Sequence, residues 1–298
     1  METMSRIRLV ALLSVPALAL VGLTGCGEEE PTRPSSADTT KASDPASSDA
    51  AEEPSSDAPA ATTTVPVYFV GDTPQGPRLY REFRQVGSDD PATEALDLMT
   101  AGDALDPDYR SLYPEGSFKD VEITGSAITV ALPDESWSQP VEGMSDEQAA
   151  LAAQQLAYTL QGVAQARTPI TVTLDGQPAD LFGLGGELSN EPELDVRALV
   201  NVTTPQEGAK VSGSFTAEGV SSSFEATTPW EIRDTDGKVV KKGFATAEGW
   251  MDKLYPWKTD VDVSDLAPGQ YTFVALTDDP SDGEGSGPTE DSKTITVS

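Results

Sequence analysis

The sequence contains no histidine, and its only cysteine among 298 residues is Cys26. The absence of histidine excludes the Ser-His-Asp and Cys-His arrangements of nucleophilic enzymes and the usual zinc ligand sets. A single cysteine excludes a disulfide within the chain. Catalysis would therefore have to depend on carboxylates, hydroxyls or lysines, and we predict no cofactor.

Basic residues are scarce, since 19 lysines and arginines stand against 50 aspartates and glutamates, a formal net charge of −31. Proteins that bind nucleic acid draw much of their affinity from Lys and Arg that neutralise phosphates, so this charge argues against a nucleic-acid partner. It argues equally against folded domains that lie flat on anionic lipid. The charge favours solubility outside the cell.

Residues 26–64 lack large apolar side chains. From Gly27 to Thr64 there is no Leu, Ile, Val, Phe, Tyr or Trp, and nine acidic residues stand against two basic ones. Such a segment cannot bury enough apolar surface to offset the entropy of ordering. We therefore predict a disordered acidic tether, rich in Ser, Thr, Pro and Ala, with no catalytic role.

Residues 1–25 read as an export signal. Arg6 and Arg8 form a basic start, and an apolar stretch from Leu9 to Leu20 follows, interrupted by Pro16. The uninterrupted apolar part is shorter than the roughly 20 residues that a membrane-spanning helix needs. The pattern is that of a secretory signal peptide.

The end of this signal contains the lone cysteine. Leu23, Thr24, Gly25 and Cys26 resemble the bacterial lipobox, in which the cysteine is lipidated and becomes the mature N-terminus. The alternative is a stray cysteine at the end of an ordinary signal, which would leave a reactive thiol in an exported protein. The resemblance predicts a lipid anchor on Cys26 and a location on the outer face of the cytoplasmic membrane.

Residues 65–187 alternate between strand and helix patterns. Two β-rich runs (65–70 and 79–86) flank the segment 71–77 and predict a hairpin with a longer loop. A helix follows that Asp90 caps and Gly102 ends. Two further strands lie in 118–132. A second helix then begins with Ser145 and Gln148 in capping-box spacing, and a last strand lies in 168–176. The order ββ-α-ββ-α-β predicts an α+β domain with both helices on one face of a largely antiparallel sheet.

Several ordered blocks of this domain resemble the GerMN domain of sporulation and spore germination proteins. They are VYFV (67–70), LYREFRQV (79–86), ATEALDLMTAG (92–102), LYPEGSFKDVEITGSAITVAL (112–132), QLAYTLQGV (155–163) and PITVTLDGQ (169–177). The resemblance implies the α+β fold and an extracytoplasmic setting, without any known reaction or catalytic residue. The domain also occurs in exported lipoproteins of non-sporulating actinobacteria, so a Gram-positive actinobacterial source is expected.

Residues 194–298 show no helical periodicity. Seven short β-rich runs with turn signals between them predict an antiparallel sandwich. The runs are 196–205, 210–220, 224–234, 238–249, 257–263, 270–279 and 293–298. Blocks 200–240, 266–287 and 293–298 resemble the immunoglobulin-like domain of bacterial spore germination proteins, whereas 243–263 departs most from that pattern. The polar segment 188–193 is predicted to separate the two domains.

Two segments of the second domain are candidate sites. The acidic loop 278–291 contains six carboxylates whose oxygens suit calcium, although the loop fails the EF-hand spacing. They belong to Asp278, Asp279, Asp282, Glu284, Glu290 and Asp291. The alternative is an acidic loop without a ligand, so no metal site is assigned.

The second candidate is aromatic. Trp250, Tyr255 and Trp257 lie within nine residues of one another, and either form a patch for an envelope partner or pack into the core.

These observations favour a non-catalytic, membrane-anchored lipoprotein that displays two interaction domains to an unidentified envelope protein or polymer. The main alternative is a cell-wall hydrolase, acting on peptidoglycan or another glycan, or its accessory subunit, because such an enzyme needs only two suitably spaced carboxylates. A transport solute-binding lipoprotein would need two lobes around a cleft, which an α+β domain followed by a sandwich does not supply.

Overall fold

The computed structural model describes residues 61–278 and 287–298, and these belong to one compact unit. The α+β domain comes first and the all-β domain follows, which confirms the predicted fold class.

The chain opens with a long antiparallel hairpin. Strand β1 (Thr62–Thr73) pairs with β2 (Gly76–Gly87), and the turn places Thr73 opposite Gly76. Gly76 has φ of 102°, a conformation that glycine adopts without a steric penalty. The hairpin was predicted, but most of its expected longer loop (71–77) is strand, and β1 begins at Thr62, three residues earlier than expected. Thr62, Thr63 and Thr64 therefore belong to the strand and not to the tether, because threonine suits a β-ladder.

Both helices have the predicted ends. Helix α1 (Pro91–Ala101) is capped by Asp90, whose carboxylate accepts a hydrogen bond from the backbone N–H of Thr93, and it ends at Gly102 with φ of 67°. Helix α2 (Asp146–Ala164) begins with a capping box. In it the Ser145 hydroxyl accepts from the N–H of Gln148, and the Gln148 side chain accepts from the N–H of Ser145.

A second sheet completes the first domain, in the order β3-β4-β5-β6. The strands are β3 (Asp120–Ile123), β4 (Ile128–Ala131), β5 (Ile170–Leu174) and β6 (Gln177–Pro178). Strands β4 and β5 are parallel, because the crossover through α2 returns the chain in the same direction. The single, largely antiparallel sheet that we predicted is thus two sheets, a hairpin and a mixed sheet.

The core of the first domain lies where the two helices pack against these sheets. The largest fully buried side chains there include Phe69, Leu96, Met99, Leu156 and Ile170. The helical period predicts that Ala149, Ala152, Leu156, Leu160 and Val163 of α2 face inward. The first four are buried, whereas Val163, near the end of the helix, is only partly buried.

The segment between the domains packs on the first one. The backbone of Leu188 pairs with Ile170, and the short helix α3 (Glu193–Val196) leads into the sandwich. Residues 188–191 therefore extend the first domain beyond the predicted end at Glu187.

The second domain is a sandwich of two sheets. Their strands are β7 (Val200–Thr204), β8 (Ala209–Val211), β9 (Ser214–Ser221), β10 (Thr227–Arg233), β11 (Val239–Thr246), β12 (Tyr255–Asp262), β13 (Gly269–Leu276) and β14 (Glu290–Val297). One sheet has the order β11-β10-β13-β14-β8 and the other β12-β9-β7. The run predicted as one strand at 210–220 is two strands in different sheets, and Gly213, with φ of 61°, lies between them.

Two tryptophans pack in the core of the sandwich. Trp230 lies against Gly243 and Trp257 against Gly219, so closely that neither glycine has room for a Cβ. Both rings are buried in one cluster with Ile232, which packs between the sheets.

Candidate functional site

The lipobox and most of the acidic loop lie outside the described residues. Residues 23–26 and 279–286 both fall there, so Cys26, Asp279, Asp282 and Glu284 stay predictions. Asp278 is described and exposed, and its backbone N–H donates to the Ser223 hydroxyl at 2.6 Å. Glu290 and Asp291 belong to strand β14 and not to the predicted loop, because their backbone pairs with β13. Within residues 61–278 and 287–298, no group of three or more acidic, histidine or cysteine side chains could hold a metal ion.

The aromatic patch does not form one exposed surface. Trp257 is only 3% exposed and belongs to the sandwich core, which corrects its prediction as a partner contact. Tyr255 is two residues away on β12, so it shares the core-facing side of the strand, and its hydroxyl donates to Asp252 at 2.8 Å. Trp250 lies in the preceding loop and packs edge-on against Phe224, with ring centroids 5.0 Å apart.

The structure instead brings a cluster of buried charges together at the junction of the two domains. The ammonium of Lys293 donates to a carboxylate oxygen of Asp106, to the Tyr109 hydroxyl at 2.8 Å and to Asp291 at 3.0 Å. Asp106 and Tyr109 come from the first domain, and Asp291 and Lys293 from β14 of the second. All four side chains are less than 10% exposed. We call these four residues the junction cluster.

Further hydrogen bonds saturate the carboxylate of Asp291. One oxygen accepts from the Tyr109 hydroxyl at 2.6 Å. The other accepts from the Asn201 amide at 2.9 Å and from the backbone N–H of Val202 at 2.5 Å. Asn201 also joins the domains directly, because its amide oxygen accepts from the backbone N–H of Arg81 at 2.9 Å.

Local structure explains how each side of the cluster is positioned. In β14, Asp291, Lys293, Ile295 and Val297 alternate with more exposed residues and face one side of the strand. Ile295 and Val297 fill the sandwich core, while the two charged residues reach the first domain. On that side, Glu82 of β2 accepts from the backbone N–H of Asp106 at 2.9 Å, which fixes the loop that carries Asp106.

Burial shifts the protonation equilibria of the junction cluster. It raises the pKa of Asp106 to about 6, although Lys293 opposes the shift. Burial lowers the pKa of Lys293, but the charges of Asp291 and Asp106 outweigh it, so the net direction is upward. Lys293 therefore stays protonated, and its ammonium forms ion pairs with two carboxyl groups.

The raised pKa of Asp106 predicts that the free energy of unfolding depends on pH. Because its folded pKa of about 6 exceeds the usual value of 3.8, the folded state keeps a proton that the unfolded state loses as pH rises from about 4 to about 6. The tighter binding of this proton stabilises the folded state fully below about pH 4, and the stabilisation is lost as pH rises through about 6. We expect a loss of about 2 kcal/mol, which allows for solvent screening.

The measurement is urea unfolding of the wild type and of Asp106→Asn across this pH range. Asparagine cannot titrate, so the difference between the two unfolding free energies should fall by about 2 kcal/mol between pH 4 and pH 6.5. Exposed carboxylates titrate alike in both proteins and cancel in the difference. Parallel curves would show that Asp106 titrates normally in the folded protein.

An open cleft of about 330 Å³ adjoins the junction cluster, and carboxylates line it. Asp72 pairs with Arg110 at 2.7 Å, and Glu290 makes a two-pronged contact with Arg233 at 3.0 and 3.1 Å. A glycosidase needs one carboxyl group with a raised pKa as its general acid. Asp106, which has one, does not line this cleft.

A groove of about 880 Å³ lies beside the N-terminal half of α2. Apolar side chains form its floor, namely Leu151, Leu184, Leu188 and Val196, and charged ones form its rim, namely Arg78, Glu147, Glu187, Glu191 and Asp195. We call it the α2 groove. It is open to solvent and lies within the first domain and its exit segment.

Sequence reasoning missed both the junction cluster and the α2 groove. A signal for the junction cluster was that Asp291 and Lys293 share the every-second-residue spacing of Ile295 and Val297, which places two charges on the core-facing side of the strand. Leu151 was the corresponding signal for the groove, because it lies off the inward-facing stripe of α2. Contacts between residues almost 200 positions apart leave no stronger trace in one sequence.

Comparison with known families gives two matches. The model described as sporulation and spore germination matches residues 66–180, and the model described as the immunoglobulin-like domain of bacterial spore germination matches residues 199–284. Neither description names an enzyme activity. No curated protein sequence matches the chain.

Solved structures are similar only at a low level. The tandem GerMN domains of the sporulation protein GerM from Bacillus subtilis are 13% identical with a TM-score of 0.35, over 69% of this chain and 63% of that one. The endo-beta-1,4-mannanase from Thermotoga petrophila is 10% identical with a TM-score of 0.26, over 34% and 20%. CopC from Methylosinus trichosporium OB3b is 21% identical with a TM-score of 0.23, over 33% and 92%.

The chain thus spans less than two thirds of the length of the first two proteins, and similarity at this level supports no inference about activity. The family matches agree with the fold, an α+β domain followed by a sandwich. Residues 66–180 therefore form a domain of the sporulation and spore germination family, and residues 199–284 form an immunoglobulin-like domain of bacterial spore germination.

Proposed function

We propose that this chain is a non-catalytic lipoprotein, anchored through Cys26 to the outer face of the cytoplasmic membrane. Its two domains act as one binding unit for a protein or polymer of the cell envelope. The family matches support an interaction role, since both are described by sporulation and germination and neither by a reaction. The sequence around Cys26 supports the anchor.

The observation that carries the non-catalytic role is that the buried carboxylates are engaged in hydrogen bonds and ion pairs within the protein. Among the described residues these are Glu82, Asp106 and Asp291. Glu82 accepts two backbone hydrogen bonds at 2.9 and 3.0 Å, and Asp106 and Asp291 share Lys293. A general acid or base must be free to reach a substrate. Here Glu82 instead fixes the loop of Asp106, and Asp106 and Asp291 join the two domains through Lys293.

The sequence between Cys26 and the first strand supports the anchor. Strand β1 starts at Thr62, so the segment from Cys26 to the first strand has the length and composition of a tether. None of the helices within residues 61–278 and 287–298 is long and apolar enough to cross a membrane.

Replacement of Cys26 by alanine tests the anchor. We expect the variant to leave the membrane fraction or to accumulate as an uncleaved precursor, because alanine offers no sulfur for acylation. The measurement is cell fractionation with intact-mass analysis of the mature protein. Thr24→Ser serves as the control, because it changes a neighbouring residue and leaves Cys26 in place. Unchanged membrane partition and unchanged mature mass in the Cys26 variant would exclude the anchor.

The cell-wall hydrolase remains the rival, and the acid-lined cleft is where it would act. Incubation of the purified protein with peptidoglycan separates the two functions. We expect no release of soluble fragments. Release that is lost on Asp108→Asn, a conservative change in the cleft lining, would replace the binding function by a hydrolytic one.

A further inference from the structure

The α2 groove is a built feature, because its walls are fixed by hydrogen bonds. Gln154 of α2 donates from its side-chain amide to the carbonyl of Ser189 at 3.0 Å and accepts from the N–H of Glu191 at 2.7 Å. The hydroxyl of Tyr158 donates to the carbonyl of Glu191 at 2.6 Å. The segment that forms one wall is thus held against the helix that forms the other.

The floor of the groove is apolar and partly exposed. Leu151 and Val196 pack against a small buried cluster that includes Tyr68 and Tyr158, yet both keep exposed surface, as do Leu184 and Leu188. Exposed apolar surface collected in a groove marks an interaction site more often than scattered apolar residues do. Its shape suits an amphipathic helix that lays its apolar face on the floor.

The charge of the rim favours a partner of opposite charge. Four exposed carboxylates, those of Glu147, Glu187, Glu191 and Asp195, surround the floor, and Arg78 is the one basic residue of the lining. The net rim charge is therefore −3. A partner with basic residues beside its apolar face would be attracted, and an acidic one repelled.

We propose that the α2 groove binds a basic amphipathic segment of an envelope protein partner. This inference rests on the proposed function and names the chemistry of the partner. The groove reaches the hairpin turn at Gln75 and Gly76, whereas the chain enters the hairpin at Thr62. These ends lie about 36 Å apart at ~3.3 Å per residue, so the groove opens far from the point where the tether joins.

Charge excludes the other candidate occupants. The chain's own segment 27–64 carries nine acidic residues against two basic ones, and a second copy of this chain is strongly acidic. Anionic lipid would be repelled by the same rim. A basic peptide is the occupant for which both floor and rim are complementary.

The test uses the full chain, purified from the cells that make it, and a fluorescent amphipathic helix of about 18 leucine and lysine residues. Fluorescence anisotropy measures the dissociation constant. We expect Leu151→Ser with Leu188→Ser, and separately Glu187→Lys with Glu191→Lys, each to weaken binding at least about tenfold. A peptide of the same composition in scrambled order, which has no apolar face, should also bind at least about tenfold more weakly than the amphipathic one.

Matched controls make the same chemical changes elsewhere. Leu105→Ser with Phe244→Ser alters exposed apolar residues outside the groove, and Glu115→Lys with Glu122→Lys makes the same change of charge on exposed positions. Each control should change the dissociation constant less than about twofold, and thermal melts check that every variant is folded.

Three outcomes would overturn the proposal. One is that groove and control variants weaken binding equally, since binding would then reflect net charge alone. Another is binding to phosphatidylglycerol vesicles that is lost in the groove variants, and the third is self-association in sedimentation that is lost in them. None of these readouts depends on the membrane partition of Cys26→Ala, so failure of the groove and failure of the anchor are distinguishable.

Discussion

Replacement of Lys293 by methionine is expected to lower the free energy of unfolding by about 3–5 kcal/mol at neutral pH. Within residues 61–278 and 287–298, its ammonium is the one cation bonded to Asp106 and Asp291, and the side chain is 5% exposed. Methionine fills a similar volume but leaves two buried carboxyl groups without a compensating charge. The penalty is the cost of those uncompensated groups, which exceeds the net worth of the ion pairs themselves.

Urea unfolding followed by circular dichroism measures this effect, and two further variants separate its causes. Lys258→Met removes an ammonium from an exposed pair with Glu218 and should change stability by less than about 1 kcal/mol. The triple variant Asp106→Asn, Lys293→Met, Asp291→Asn removes all three charges and should recover at least half of the loss. A Lys293→Met protein as stable as the wild type would show that the junction cluster does not hold the domains together.

The parts of the fold that depend on local sequence could be predicted. The capping box of Ser145 and Gln148 and the glycine at position 102 act within a few residues, so these two helix ends are visible in the sequence. The alternation of buried and exposed side chains along the sandwich strands is also a local pattern. Sheet partners are not local, which explains why a predicted single sheet is a hairpin and a mixed sheet.

The candidate sites depend on contacts between distant parts of the chain. Lys293 meets Asp106 only because β14 extends past the sandwich core to the first domain, and no pattern of spacing encodes that meeting. The α2 groove depends likewise on Gln154, which draws residues 189–191 onto the helix. Side-chain type limited the possibilities, since the absence of histidine left carboxylates and lysine as the ionisable groups able to form such a cluster.

The two tryptophans near residue 250 are expected to differ sharply on truncation. Trp257→Ala should lower the free energy of unfolding by about 3–5 kcal/mol, the range for removing a large aromatic side chain from a packed core. Its ring is 3% exposed and rests on the backbone at Gly219, which has no side chain to move into the space. The cavity would therefore persist in the folded variant.

Trp250→Ala is the matched control, because the same atoms are removed from a half-exposed loop position where the ring contacts Phe224. This change should cost about 1 kcal/mol or less. Thermal and urea unfolding of the two variants side by side check the difference, and partner capture is then meaningful only for Trp250→Ala, since its fold is preserved. Equal stability of the two variants would contradict the core position of Trp257 and return it to the candidate surface patch with Trp250 and Tyr255.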